Sequence, residues 1–119
     1  MQKKILFMHY SAPYGSSKAH ASYDMLMMAT AFDFDVSVAF LDDGIFQLMK
    51  NQKCQAIAEK NLAKQLKSME IFSIKNIYIE ERALHMRGLT QSDLIIRAKI
   101  ITPKKLGAIM RQQDYIIRI

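Results

Sequence analysis

The sequence predicts an α/β fold: a mainly parallel five-stranded sheet with helices on both faces. Three observations lead there. Strand-like and helix-like segments alternate along the whole chain. The run Val36-Ser37-Val38-Ala39-Phe40-Leu41 is apolar on both of its faces, which reads as a parallel strand covered on both sides. At 119 residues and 50% apolar composition, the chain has the size and the hydrophobic content for one core.

The elements follow in order. Ile5 to Tyr10 is a short apolar run bounded by turn residues, hence the first strand. Ser11 to Ser17 is the loop after it, and a helix follows from about Ala19 to Phe32. Within it Ala21, Met25, Met28 and Phe32 recur at helical steps and share one face, which Leu26 and Ala29 widen. Asp33-Phe34-Asp35 turns the chain into the second strand at Val36. Asp42-Asp43-Gly44 ends that strand with polar groups and a flexible turn, and an apolar group, Ile45, Phe46, Leu48 and Met49, resumes directly after it. In open α/β sheets the carboxyl end of a strand is where ligands and partners bind.

A second helix is expected from Cys54 to Lys67, with Ala58, Leu62, Leu66 and Met69 on its apolar side. Ile74 to Ile79 is the third strand. A short helix spans Glu81 to Arg87, with Gly88 as its C′ stop. Leu94 to Arg97 is the fourth strand. Thr102 and Pro103 open a last helix as N-cap and first helical residue, and Leu106, Ile109 and Met110 form its apolar face. Tyr115 to Ile119 closes the chain as the fifth strand. The expected strand order is flavodoxin-like, 2-1-3-4-5, with right-handed crossovers. No linker, repeat or low-complexity stretch divides residues 1–119, so a single domain is expected.

Composition narrows the function classes. Lys plus Arg is 17 against 11 Asp plus Glu, a formal net charge of +6. Lys50, Lys53, Lys60, Lys64 and Lys67 lie near one helix and Lys99, Lys104 and Lys105 near another, without interleaved aromatics, so they read as a solvated basic surface rather than a nucleic-acid site. The single cysteine, Cys54, excludes an internal disulfide. No signal-peptide pattern and no apolar stretch of about 20 residues is present, and the expectation is a soluble cytoplasmic protein without a membrane anchor.

Candidate chemistry is sparse. The Ser11–Ser17 loop could cradle a phosphate with backbone N–H groups, but it carries one glycine and neither a GxGxxG nor a P-loop pattern, so a plain connection is preferred and no cofactor is expected. Cys54 has Lys53 and a helix start beside it, as a reactive thiol would, yet it does not end a central strand and has no resolving partner. His9, His20 and His85 lack metal-ligand spacing and read as packing or surface residues, so no metal is expected. Asp42 and Asp43 lack the further acids of a Mg²⁺-binding strand-end site and read as turn-capping groups.

These segments together resemble one family. FLDDGIFQLM is similar to the (I/F)xDGVFQL pattern of the TusC/DsrF-like subunits of the TusBCD sulfur-relay complex. KKILFMHYSAPYGSSKAHASYDMLMMATAF resembles their first strand, Ser/Thr-Ala-Pro-x-Gly loop and first helix. IYIEERALHMRGL resembles their third strand running into a helix that ends in Arg-Gly, and QQDYIIRI their closing strand. The match covers essentially the whole chain. It implies a DsrE-like fold and a place in a hetero-oligomer, a heterohexamer, with TusB-like and TusD-like subunits. Such a complex takes persulfide sulfur from small sulfur-carrier proteins and passes it toward 2-thiolation of the wobble uridine of tRNA; closely related subunits serve sulfur oxidation.

In that family the persulfide-bearing cysteine belongs to the TusD-like subunit, at the end of the third strand. The matching position here is Glu80, which cannot carry a persulfide. The resemblance therefore implies a non-catalytic structural subunit with no direct nucleic-acid contact, the alternative being a sulfurtransferase that depends on Cys54. Met25, Met27 and Met28 cannot all face one core. The expected partner contacts are Met25, Met28, Asp43, Gly44, Ile45, Phe46, Gln47, Leu48 and Met49.

Overall fold

The computed structural model describes residues 2–10, 18–48, 74, 76–94 and 97–119, with the backbone alone at 18–23 and 47. The elements are β1 (Lys4–His9), α1 (Lys18–Ala31), β2 (Asp35–Phe40), a 3-10 helix (Asp42–Leu48), β3 (Asn76–Glu80), α2 (Glu81–Met86), a short 3-10 turn (Gln91–Asp93), β4 (Lys99–Ile101), α3 (Pro103–Arg111) and β5 (Tyr115–Arg118). The Ser11–Ser17 loop, Met49 and the helix expected from Cys54 to Lys67 lie outside the described residues.

Among the described residues all four strand pairings are parallel, and the order is β4-β3-β2-β1-β5. The α/β class holds, but the expected order 2-1-3-4-5 does not. That order puts the second strand at an edge, where half of its backbone and part of both faces would meet water. Here β2 lies between β1 and β3, and Val36 to Phe40 is buried without interruption. The edges go instead to β4 and β5, whose residues are mostly exposed. A run apolar on both faces is a central strand for the same reason that it is a covered one.

The period-two alternation of the strands builds two cores. On one face Ile5, Phe7, Val36, Val38, Phe40, Ile77 and Ile79 pack under Leu26 and Ala29 of α1, Ile45 and Leu48 of the 3-10 helix, and Ala83 and Leu84 of α2. On the other, Leu6, Met8, Ala39, Leu41 and Ile101 pack under Leu106 and Ile109 of α3. Full burial of each Val, Leu, Ile, Phe or Met among them is worth about 1.5–3 kcal/mol relative to exposure. Helices thus cover both faces of the sheet.

Two sequence expectations are corrected. In α1 the core face is Leu26 and Ala29, with Met27 half-buried, whereas Met25, Met28 (61% exposed) and Phe32 just beyond the helix (72% exposed) face outward. The helix carries two apolar stripes, and spacing alone cannot choose between them. A strand not expected from the sequence runs over Lys99–Ile101, whereas Ile95 and Ile96 of the expected Leu94–Arg97 strand lie outside the described residues. The Thr90 N–H donates to Asp93 Oδ2 at 2.8 Å, winding residues 91–93 into a turn that delivers Leu94 to the first core. Strand pairing with β3 then starts at Lys99, opposite Tyr78.

The helix ends follow their sequence signals. Thr102 Oγ1 accepts a hydrogen bond from the Lys105 N–H at 3.1 Å, with Pro103 at the first turn of α3. At the end of α2 the Gly88 N–H donates to His85 O and the Leu89 N–H to Leu84 O, a Schellman motif, with Gly88 at φ +64°. No other atom would lie within 4 Å of a Cβ there, so Gly88→Ala should cost only the left-handed backbone strain, about 1–2 kcal/mol by denaturant unfolding, and Gly88→Asn less.

Tyr78 on β3 has its phenol pushed above the ordinary value of 10.0, first by burial and then by the Asp35 carboxylate. A raised pKa favours the neutral phenol in the fold. Stability should therefore be intact below pH 10 and fall as pH rises above it, where the unfolded chain ionises first. Unfolding of Tyr78→Phe followed across that range should show a shallower fall.

Candidate functional site

The carboxyl ends of β1, β2 and β3 lie side by side, and the signature segments meet there. The geometry begins at His9, the last residue of β1. Its carbonyl accepts the Leu41 N–H at 2.9 Å, and its buried ring lies 4.9 Å from that of Phe40. Asp42 then takes the left-handed conformation at φ +46°, and the Gly44 N–H donates to Leu41 O at 2.8 Å. The chain turns back so tightly that a Cβ on Gly44 would lie 2.0 Å from His9 O and 2.6 Å from His9 C. Only glycine lets the 3-10 helix rest against the backbone of β1 in this way. The Asp-Asp-Gly stop is thus the start of that helix rather than an open turn.

Arg87 ties this helix to α2. Its Nη2 donates to Asp43 Oδ1 at 2.9 Å, its Nη1 donates to Ala83 O at 3.3 Å, and its guanidinium lies 5.7 Å from the centre of the Phe46 ring. One side chain therefore satisfies a helix carbonyl, pairs with a carboxylate and covers an aromatic ring. Asp43 is largely exposed, so the ion pair itself is worth little. A double-mutant cycle with Arg87→Met and Asp43→Asn should give a coupling below about 1 kcal/mol that shrinks with salt.

Glu80 closes β3 and caps α2. Its Oε2 accepts the Ala83 N–H at 3.2 Å, while its Oε1 is buried with no hydrogen-bond partner among the described residues. The whole residue is 8% exposed. The end of β3 is thus held by a buried capping carboxylate. Among the described residues there is no cysteine, and no group of three or more His, Cys, Asp and Glu is placed to share a metal ion. A shallow open cavity of about 490 Å³, lined by Gln2, Lys3, Phe32, Asp33 and Phe34, lies at the opposite, amino-terminal end of the strands.

The expected contact residues therefore divide. Ile45 and Leu48 are wholly buried in the first core, and Gly44 is buried against β1, so these three are structural and the expectation of an apolar surface is corrected for them. Their place on a 3-10 helix folded back over the sheet is the reason. Asp43 and half-buried Phe46 remain at the surface beside Arg87. Met25 and Met28 stay on the outward stripe of α1. The Gln47 side chain and Met49 lie outside the described residues, as does Cys54. Sequence reasoning missed Arg87, reading the Arg-Gly pair only as a helix end; a cation four residues after the buried Ala83 was the available signal.

The chain matches the model of the DsrE/DsrF-like family over residues 3–119. It is 37% identical over 93 residues to the intracellular sulfur oxidation protein DsrF of Allochromatium vinosum, covering 78% of this chain and 68% of that protein. It is 30% identical to a TusC homolog of Vibrio parahaemolyticus, with 92% of each chain covered, and 27% identical to one of Pseudomonas aeruginosa over the full length of both. Among solved structures it is similar to the YchN protein of Escherichia coli, with a TM-score of 0.84, full coverage of both chains and 19% identity, a likeness of fold.

Proposed function

This chain belongs to the DsrE/DsrF-like family, and we propose that it serves there as a non-catalytic structural subunit of a sulfur-relay complex. Its partners in this reading are TusB-like and TusD-like subunits in a cytoplasmic hetero-oligomer. Sulfur-carrier proteins deliver persulfide to that assembly, which passes the sulfur toward 2-thiolation of the tRNA wobble uridine. The observation that carries the proposal is Glu80. It occupies the end of β3, where the family's acceptor thiol is expected, and its carboxylate is committed to the Ala83 N–H. A carboxylate can neither accept nor transfer sulfane sulfur, which supports an acceptor thiol in another subunit. Asp43, Phe46 and Arg87 give this subunit a fixed, partly charged surface next to that position.

Co-expression with TusB-like and TusD-like chains should give one complex containing this subunit in equal amount. Persulfide supplied through a desulfurase and carrier should label a partner and not this chain, and Cys54→Ser should leave transfer intact. A monomer that ignores both partners, or label on Cys54 that disappears in Cys54→Ser, would overturn the reading. The 37% identity to a sulfur oxidation protein supports a second version, in which the same subunit role serves sulfur oxidation. Transfer to tRNA-thiolating enzymes, assayed as thiouridine formed, separates the two.

A further inference from the structure

We propose that β5 is a self-association edge: two copies of this chain join their sheets by antiparallel pairing of β5 with β5 about a twofold axis at Ile116. Among the described residues β5 is an edge strand, hydrogen-bonded within the sheet to β1 alone. An edge strand offers a row of backbone donors and acceptors, and proteins commonly blunt such an edge with lysine. The other edge, β4, has three residues and carries Lys99. β5 has no lysine, and its apolar Tyr115 and Ile116 are open to solvent, at 53% and 40% exposure, with the charged Arg118 at its end.

The sequence of the strand selects the occupant and the register. Asp114-Tyr115-Ile116-Ile117-Arg118 has opposite charges at its two ends and apolar residues between them. Laid antiparallel on a second copy with Ile116 at the centre, Asp114 faces the second copy's Arg118, and Tyr115 faces its Ile117. Opposite-charge and aromatic–β-branched pairs are the favourable cross-strand neighbours. Both charged pairs recur by symmetry, as a self-complementary twofold contact requires. A slip of one residue sets α1-side residues of one copy against α3-side residues of the other, which a twofold axis normal to the sheet does not permit, and a slip of two sets a charge against an isoleucine.

The faces agree. Ile116 pairs with Leu6 and Arg118 with Met8, on the α3 side, while Tyr115 pairs with Ile5 and Ile117 with Phe7, on the α1 side. Arg118 lies 4.8 Å over the Tyr10 ring, a contact that uses the guanidinium face and leaves its edge for a carboxylate. Asp114 Oδ2 already accepts the Lys4 N–H at 2.7 Å, which holds that carboxylate in place at the strand's entrance. The pairing stands on this edge alone and is independent of the relay reading.

Directly opposed residues of an antiparallel pair have Cα atoms about 4.5–5.5 Å apart, within reach of a disulfide. In a Cys54→Ser background, Ile116→Cys should therefore form a disulfide-linked dimer under mild oxidation. Tyr115→Cys and Ile117→Cys should each fail alone and cross-link when mixed. Without any added cysteine, Arg118→Asp should raise the dimer dissociation constant about tenfold, and Asp114→Arg combined with Arg118→Asp should restore it. A wild-type chain that sediments as a monomer overturns the proposal. So does Ile116→Cys cross-linking no better than Tyr115→Cys, or an edge occupied by a different chain in the purified complex.

Discussion

Gly44→Ala should destabilise the isolated chain by about 3 kcal/mol or more, the largest effect expected from adding one methyl group anywhere in the described residues. The added carbon would be placed 2.0 Å from His9 O. That oxygen belongs to the backbone of β1, which is held between β2 and β5 and already accepts the Leu41 N–H. A flexible side chain could swing away; this carbonyl cannot move without breaking the sheet. The 3-10 helix must lift instead, drawing Ile45 and Leu48 out of the core and Asp43 away from Arg87. Urea unfolding followed by circular dichroism measures the loss. A midpoint unchanged from wild type would show that the helix does not rest on β1 as described.

The second large effect separates core from surface within one apolar group. Ile45→Ala and Leu48→Ala should each cost about 2–5 kcal/mol in the chain on its own, because both side chains are fully buried and their removal leaves cavities. Met28→Ala should stay within about 0.5 kcal/mol, because the side chain is mostly in water. Partner binding should rank them the other way, if the α1 stripe is covered in a complex. Co-purification of Met28→Asp at wild-type yield with the TusB-like and TusD-like chains would remove that stripe from the interface. Equal stability of Ile45→Ala and wild type would contradict the burial of the 3-10 helix.

The alternation of elements was readable because each depends on residues close in sequence. Thr102-Pro103 and Gly88 are local signals, and both sit where they were expected. Strand order is a property of neighbours, and the segments do not name their neighbours. The one available clue, a strand apolar on both faces from Val36 to Phe40, argues for the centre of the sheet. The strand at Lys99–Ile101 was not foreseen because Leu94-Ile95-Ile96 and Lys99-Ile100-Ile101 are equally strand-like in sequence, and local pattern does not choose between them. At the site, the Asp43–Arg87 pair joins residues 44 apart, and the need for Gly44 arises from the backbone of β1. Neither is written in its own segment. The family pattern marked both places without giving their physical cause.

The placement of β1 between β2 and β5 has a consequence for synthesis. β1 and β2 are close in sequence and can pair early, as soon as residues 35–40 are available. The other side of β1 must wait for residues 115–118, and the Lys4–Asp114 hydrogen bond spans 110 positions. Closing so long a loop is slow, and nearly all of the chain must be made first. A nascent chain on the ribosome therefore carries Ile5 to Met8 along an unprotected strand edge for most of its translation. Chaperone contact should be concentrated at that edge and should end when β5 docks.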